Sequence, residues 1–416
     1  MKLLSVYFAV FIISIYTSAI KFDLGFGGVG ITHIAYIFIF MHLIFTGKIG
    51  QVPLFYCDLP TLFLFLYPLS NLLSSLIFSH ILLISLKGCI SIFIYYMFYI
   101  IARWLTVKFK ETDFVLKLVF RYNLISVGFG IFSLILFSIL KGRFELLGVS
   151  TGHLEKDGFG TASIRSLSFE PNVFSLITAS VGCCYIAYSF TAGNVLKKRF
   201  FILLIIMGLL LSYTRSVYFS FTVAFMVIAI VTDKVSMKNA LLFLFGLISF
   251  GLVFTLAFSN TAIYTAVIGR ASNIFNIEEG SALGRVYTII TGLEGFYKHP
   301  VIGNGLFTAD MQSIDEFTGE LKELSPGAPG WLFGTWIQAL HDTGIIGFLI
   351  IIALFFTIIR ENYKWFKTGS AKFKFLPVGF MGATILLLIS TQSSSIMWVS
   401  FPYVFWGINM GLKNSV

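Results

Sequence analysis

The sequence predicts an all-α polytopic integral membrane protein, on three observations. Of the 416 residues 57% are hydrophobic and 12% charged, with a mean hydropathy of +0.91, whereas soluble domains carry roughly 25% charged residues. Apolar stretches of about bilayer length recur about twelve times along the chain. Basic residues concentrate in alternate connections between those stretches, the pattern expected of a chain threaded repeatedly through a bilayer.

The predicted helices run roughly 3–20, 31–46, 60–86, 88–105, 115–140, 172–190, 200–213, 216–232, 239–259, 336–359, 375–390 and 396–411. The first follows Lys2 and has the form of a signal peptide, with Thr17 and Ala19 at cleavage-like positions. It reads better as an uncleaved span, because so many others follow. Pro68 introduces a kink into the third, and the turn into the fourth is set at 86–88. Two connections are long, 141–171 and 260–335, so the chain is one membrane domain over 1–416 with two large polar loops. Cys57, Cys89, Cys183 and Cys184 lie in or beside apolar runs without CxxC spacing or partnering histidines, which argues for buried thiols rather than a zinc site or a disulfide framework.

With the N-terminus in the cytoplasm, one side of the membrane receives 18 basic and five acidic residues, or +13, and the other −3. The positive-inside rule then places both termini in the cytoplasm and both long loops and Arg215 on the outer side of the membrane. The net charge of +10 is thus accounted for by topology and gives no support to nucleic-acid binding.

Arg215 is the only charged residue in the 33 residues of 200–232. An arginine at membrane depth is a functional-site candidate; the alternative is a boundary residue between two spans that snorkels to phosphate or water. The lengths of 15 residues before it and 17 after it fit two short helices. In the first long loop, Arg165, Glu170 and Asn172 precede the sixth span, and Glu170-Pro171 suits either a helix-start charge or a catalytic carboxylate. In the second, 284–298 has an apolar face of Val286, Ile289, Ile290, Leu293, Phe296 and Tyr297, with Arg285, Thr288, Thr291 and Lys298 opposite. This predicts an amphipathic helix on the outer surface of the bundle, its polar face turned to an aqueous cavity. A tight turn follows at His299-Pro300 and 301–305. An acidic stretch containing Asp310, Asp315, Glu316, Glu320 and Glu323 reads as a solvated loop, and Trp331 and Trp336 mark the return to the membrane interface.

Four segments in order, RSLSFEPN at 165–172, LSYTRS at 211–216, GRVYTIITGLEGFYKHPVIGNG at 284–305 and LHDTGIIG at 340–347, resemble the O-antigen ligase/polymerase superfamily. The resemblance covers roughly 160–350. It implies a GT-C-like membrane glycosyltransferase that uses undecaprenyl-diphosphate-linked oligosaccharides as donor and acceptor at the outer face of the inner membrane, beside membrane lipid and a chain-length regulator protein. It also implies that Arg215 and Arg285 bind the lipid diphosphate, a role that planar guanidinium groups suit through bidentate pairing with phosphate oxygens. No metal or other cofactor is then expected. Glu170, His341, His299 and Asp342 are candidates for proton transfer, with Glu170 and His341 favoured, while Arg165, Asn172, Tyr213, His299, Asn304 and Asp342 are candidates for substrate contact. His341 could equally cap or pack its helix, and His299 could serve only to shape the turn before Pro300.

Ligases of this superfamily share a histidine, then Asn, Ser or Gln, then nine residues and GxxG. Counting back from Gly344 and Gly347 puts Phe333 and Gly334 in those places, which favours a polymerase, although a shifted alignment recruits His341. The Arg-x10-Gly spacing of some polymerases is not met either, since Leu176 and Phe296 occupy the glycine positions and Gly295 falls one residue early. A ligase and a polysaccharide flippase remain the alternatives. The flippase has the weaker case, because no internal repeat is visible and polar residues gather in two outer loops.

Overall fold

The computed structural model describes residues 2–17, 21–23, 28–109, 112–139, 145–146, 149–150, 166, 168, 171–191, 195–212, 214–233, 280–309, 312–314, 321–323, 332, 334–369, 373–392 and 394–415. Its helices are α1 Lys2–Ser14, α2 Ile31–Phe45, α3 Leu59–Phe78, α4 Leu82–Phe109, α5 Thr112–Ile139, α6 Pro171–Thr191, α7 Val195–Leu211, α8 Arg215–Val231, α9 Gly280–Lys298, α10 Thr335–Thr368, α11 Phe375–Ser390 and α12 Ser400–Ser415. Three short antiparallel ladders accompany them: β1 Lys21–Asp23 with β2 Gly28–Gly30, β3 Glu145–Leu146 with β4 Val149–Ser150, and β5 Gln312–Ile314 with β6 Leu321–Glu323. Among the described residues five helices are long and apolar enough to cross a membrane, and five shorter apolar helices accompany them. The predicted span at 239–259 lies outside the described residues.

The bundle is assembled from close helix pairs. α12 packs along α4, α11 lies against α6, α8 and α10, α3 packs on α10, and α1 joins through α2 and α5. Small residues make these approaches possible, as expected where helices associate by close packing. A Cβ at Gly379 would fall on the Cys184 backbone and one at Gly407 on the Tyr99 carbonyl. Cys89, Cys183 and Cys184 are buried as predicted, but Cys57 is exposed, because it sits in the connection before α3 and not on an apolar helix.

The break between the third and fourth helices falls at 79–81 rather than at 86–88. Ser79 Oγ accepts from Ile81 N–H at 3.2 Å and meets Ser85 Oγ at 2.6 Å, so a side chain satisfies a donor that a continuing helix would have used. Gly88 lies inside α4, where its missing side chain makes room for the Phe307 ring. Trp336, assigned to the interface from the sequence, instead packs on Phe348 and Phe355, with ring centroids 5.6 and 6.0 Å away.

Arg103, one of the 18 basic residues counted on the inner side, is buried in α4. Its Nη1 pairs with Asp58 Oδ2 at 2.5 Å and donates to Thr61 Oγ1 at 3.0 Å and Tyr99 OH at 2.9 Å, and its guanidinium lies 3.9 Å from the Tyr56 ring centre. Asp58 also caps α3 by accepting from Thr61 N–H at 3.0 Å. Removing one partner of such a pair strands the other. Arg103→Ala is therefore expected to cost about 2 kcal/mol, discounted for the partial exposure of Asp58, read as a lower thermal midpoint of the detergent-solubilised protein. An unchanged midpoint would show that Arg103 does not hold α3 to α4. Lys108, Lys364 and Lys413 lie at this same end, where Lys413 bridges to Glu361 at 2.5 Å. The described cavity lies at the opposite end.

Candidate active site

α9 closes that opposite end. Its Thr288, Gly292 and Gly295 are buried against α10. A Cβ on Gly292 would strike Ile337, and one on Gly295 would strike the Nε2–Cδ2 edge of His341. Two faces of α9 diverge from this seam. Ile289 and Tyr297 are 50 and 77% exposed, an apolar surface suited to lipid, while Ile290, also exposed, stands at the cavity rim. Tyr287, Thr291, Glu294 and Lys298 instead line a cavity of about 490 Å³. Its other wall is built from Phe78 and His80 beyond the end of α3, His299, Asn304 and Thr308 after α9, and His341 of α10. Of the expected polar face, Thr291 and Lys298 line the cavity, Thr288 is buried in packing, and the Arg285 side chain lies outside the described residues; Ile290 of the expected apolar face lines the cavity as well.

The segment following α9 is held to α10 by an exchange of backbone hydrogen bonds. Gly344 has φ 61° and ψ −159° and breaks the helix. Ile345 and Ile346 consequently donate to the carbonyls of Pro300 and Val301, while the carbonyls of His341 and Asp342 accept from Asn304 and Gly305 N–H at 2.9 and 3.0 Å. Four backbone groups around the break are thus answered by the passing strap. Gly303, at φ 84°, lies so close to the backbone of Asp342 and Thr343 that a Cβ would clash with both. The amide of Asn304 donates to Gly295 O at 2.7 Å and His341 O at 3.1 Å, tying α9 to α10.

Serines of α3 and α4 complete the frame. Ser74 Oγ donates to the Asp342 carbonyl at 2.6 Å, Leu306 N–H donates to Ser75 Oγ at 3.1 Å, and Ser85 Oγ donates to the Leu306 carbonyl at 2.6 Å. The sequence reading missed these three. For Ser74 and Ser75 the signal was present as a cluster of small polar residues, SNLLSS at 70–75, inside an apolar helix, which is where interhelical hydrogen bonds are expected; Ser85 had no such local signal.

His341 and Asp342 are 3% exposed each, and His341 Nδ1 lies 2.8 Å from Asp342 Oδ1. An Nδ1–H donated to a carboxylate fixes the tautomer and leaves Nε2 with its lone pair, the arrangement of a general base with its orienting acid. His299 stacks on Phe78 with centroids 4.1 Å apart. The structure therefore gathers His341, Asp342, His299 and Asn304 of the sequence candidates around one cavity.

The remaining candidates fall elsewhere. Asn172 lies in the first turn of α6 and donates to Ser394 Oγ at 2.6 Å. It is tied there to the TQSSS stretch at 391–395, which also anchors the start of α10 through Thr335 N–H to the Thr391 carbonyl at 2.8 Å. Asn172 is thus held by a side chain of the bundle and does not line the cavity. Arg215 is the first residue of α8, so it stands at the boundary between two helices and not in the middle of one. Arg285 lies in the second turn of α9; the side chains of both arginines lie outside the described residues, as do Arg165, Glu170 and Tyr213 altogether.

A bundle of apolar helices, five of them among the described residues long and apolar enough to cross a membrane, with a cavity at one end covered by an amphipathic helix, defines a polytopic membrane protein. Residues 200–352 match the family described as Wzy_C: O-Antigen ligase. This match supports the O-antigen ligase/polymerase superfamily. The matched stretch contains Arg215, α9, the strap after it and the His341–Asp342 pair. No curated relative matches the chain.

Proposed function

We propose that this protein is an O-antigen polymerase that joins undecaprenyl-diphosphate-linked repeat units at the periplasmic face of the inner membrane. The observation that carries the reading is the His341–Asp342 pair in the wall of a cavity roofed by α9. An acceptor-sugar hydroxyl gives its proton to His341 Nε2 as its oxygen bonds to the anomeric carbon of the growing chain. The bond from that carbon to diphosphate oxygen breaks, and its electron pair leaves with undecaprenyl diphosphate. Arg215 and Arg285 hold the departing diphosphate, supplying the positive charge the leaving group needs. No metal enters this scheme. The apolar face of α9 suits a substrate that carries a polyprenyl chain, and a chain-length regulator is the expected protein partner.

Both arginine substitutions are expected to stop chain growth. Arg215→Ala or Arg285→Ala, expressed in a deletion strain, should leave lipid A core bearing at most one repeat unit on a polysaccharide gel, with wild-type amounts of protein in the membrane. A normal ladder from either variant would remove that arginine from the diphosphate site. The same gel tests the whole reading. Core with a single repeat unit in the deletion strain identifies a polymerase, whereas bare core with accumulated lipid-linked polymer identifies a ligase, the reading that the description of the matched family favours.

A further inference from the structure

α9 carries two stripes with different duties. Thr288, Gly292 and Gly295 pack on α10, while Tyr287, Thr291, Glu294 and Lys298, spaced i, i+4, i+7 and i+11, line the cavity. Such a ridge is about 16 Å long at 1.5 Å per residue. Glu294 and Lys298 stand four apart in the order that favours an ion pair, yet no ion pair joins them. Among the described residues no hydrogen-bond donor holds the Glu294 carboxylate. Across the cavity lie the His299–Phe78 ring stack and Asn304, whose amide is already committed to the Gly295 and His341 carbonyls. The cavity thus offers an unengaged carboxylate acceptor beside apolar ring surface and an imidazole base. That combination fits a polyhydroxylated ring, which presents O–H donors at its edge and C–H groups on its faces.

We propose that this ridge is the subsite for the terminal sugar of the acceptor, with Glu294 accepting from a ring hydroxyl next to the one that attacks. The assignment deepens the polymerase reading and rests on it: Glu294 would place the acceptor, and His341 would take its proton. Glu294 is then a substrate-contacting residue whose loss weakens acceptor binding more than it slows the chemical step.

The test uses the full-length protein in detergent and the repeat-unit oligosaccharide released by mild acid from the lipid-linked pool of the parent strain. Saturation-transfer NMR should show the oligosaccharide binding to wild type and to Glu294→Asp, and at least tenfold weaker binding to Glu294→Ala, with thermal midpoints unchanged. Chain growth on lipid-linked units should fall in Glu294→Ala through a higher KM for acceptor at nearly constant kcat. Equal oligosaccharide binding by wild type and Glu294→Ala, or no binding by wild type, would overturn the subsite even if polymer is still made. Binding that depends on Glu294 in a protein that makes no polymer would leave the sugar subsite standing and overturn the polymerase reading.

Discussion

His341→Ala is expected to reduce chain growth about 100- to 10,000-fold, the usual contribution of a positioned general base, or about 3 to 5 kcal/mol of barrier. Asp342→Asn should act through the same atom. An amide can offer its N–H to Nδ1, which favours the tautomer with its proton on Nε2 and removes the lone pair facing the acceptor. Because both residues are buried, truncation alone could unsettle α10, so His341→Gln is the informative companion: it keeps bulk and a donor for Asp342 but no base. Polymer of normal length and rate from His341→Gln, at normal protein levels, would show that His341 serves packing and that the proton goes elsewhere.

A larger effect on stability is expected at the crossing of the strap and α10. Gly344→Ala must place a Cβ on the Val301 carbonyl at a backbone conformation open essentially to glycine alone, and Gly303→Ala must place one on the Asp342 and Thr343 backbone. Strain of about 1–3 kcal/mol and overpacking of a further 1–3 kcal/mol consume much of a typical stability of about 5–15 kcal/mol. Either substitution should sharply lower the yield of monodisperse protein in detergent and its thermal midpoint. Gly50→Ala, where a Cβ would meet nothing within 4 Å, is the control that should change neither. A wild-type midpoint for Gly344→Ala would mean that the strap is not locked to α10.

Much of the helical order was legible because a bilayer fixes the length of an apolar run, and α2, α6, α8 and α11 begin and end within about two residues of their expected limits. The break after α3 was not, because serine and histidine are tolerated in helices and nothing in the local pattern shows that Ser79 Oγ takes the Ile81 N–H. At the site, HPVIGNG and LHDTGIIG stood out individually. Their mutual hydrogen bonding depends on positive φ at Gly303 and Gly344, which glycine permits but does not announce. Of the two meanings left open for His341, the packing one is met by its burial, and the catalytic one stays a proposal. It does pack inside its helix, and it also forms part of a cavity wall that no local pattern reveals, since the other wall comes from α3 and α9. The burial of Arg103 was not legible either, because it depends on Asp58, Thr61 and Tyr99 converging on it from α3, α4 and the connection between α2 and α3.

The large loop is fastened twice. The strap binds its near side to α10, and at its far side the Leu332 carbonyl accepts from Ser395 Oγ while Thr335 N–H donates to Thr391. Between these two clamps, the described residues 312–314 and 321–323 pair with each other as β5 and β6. Both clamps act on one short stretch of α10, 335–346, so the loop closes like a ring whose clasp is the start of that helix.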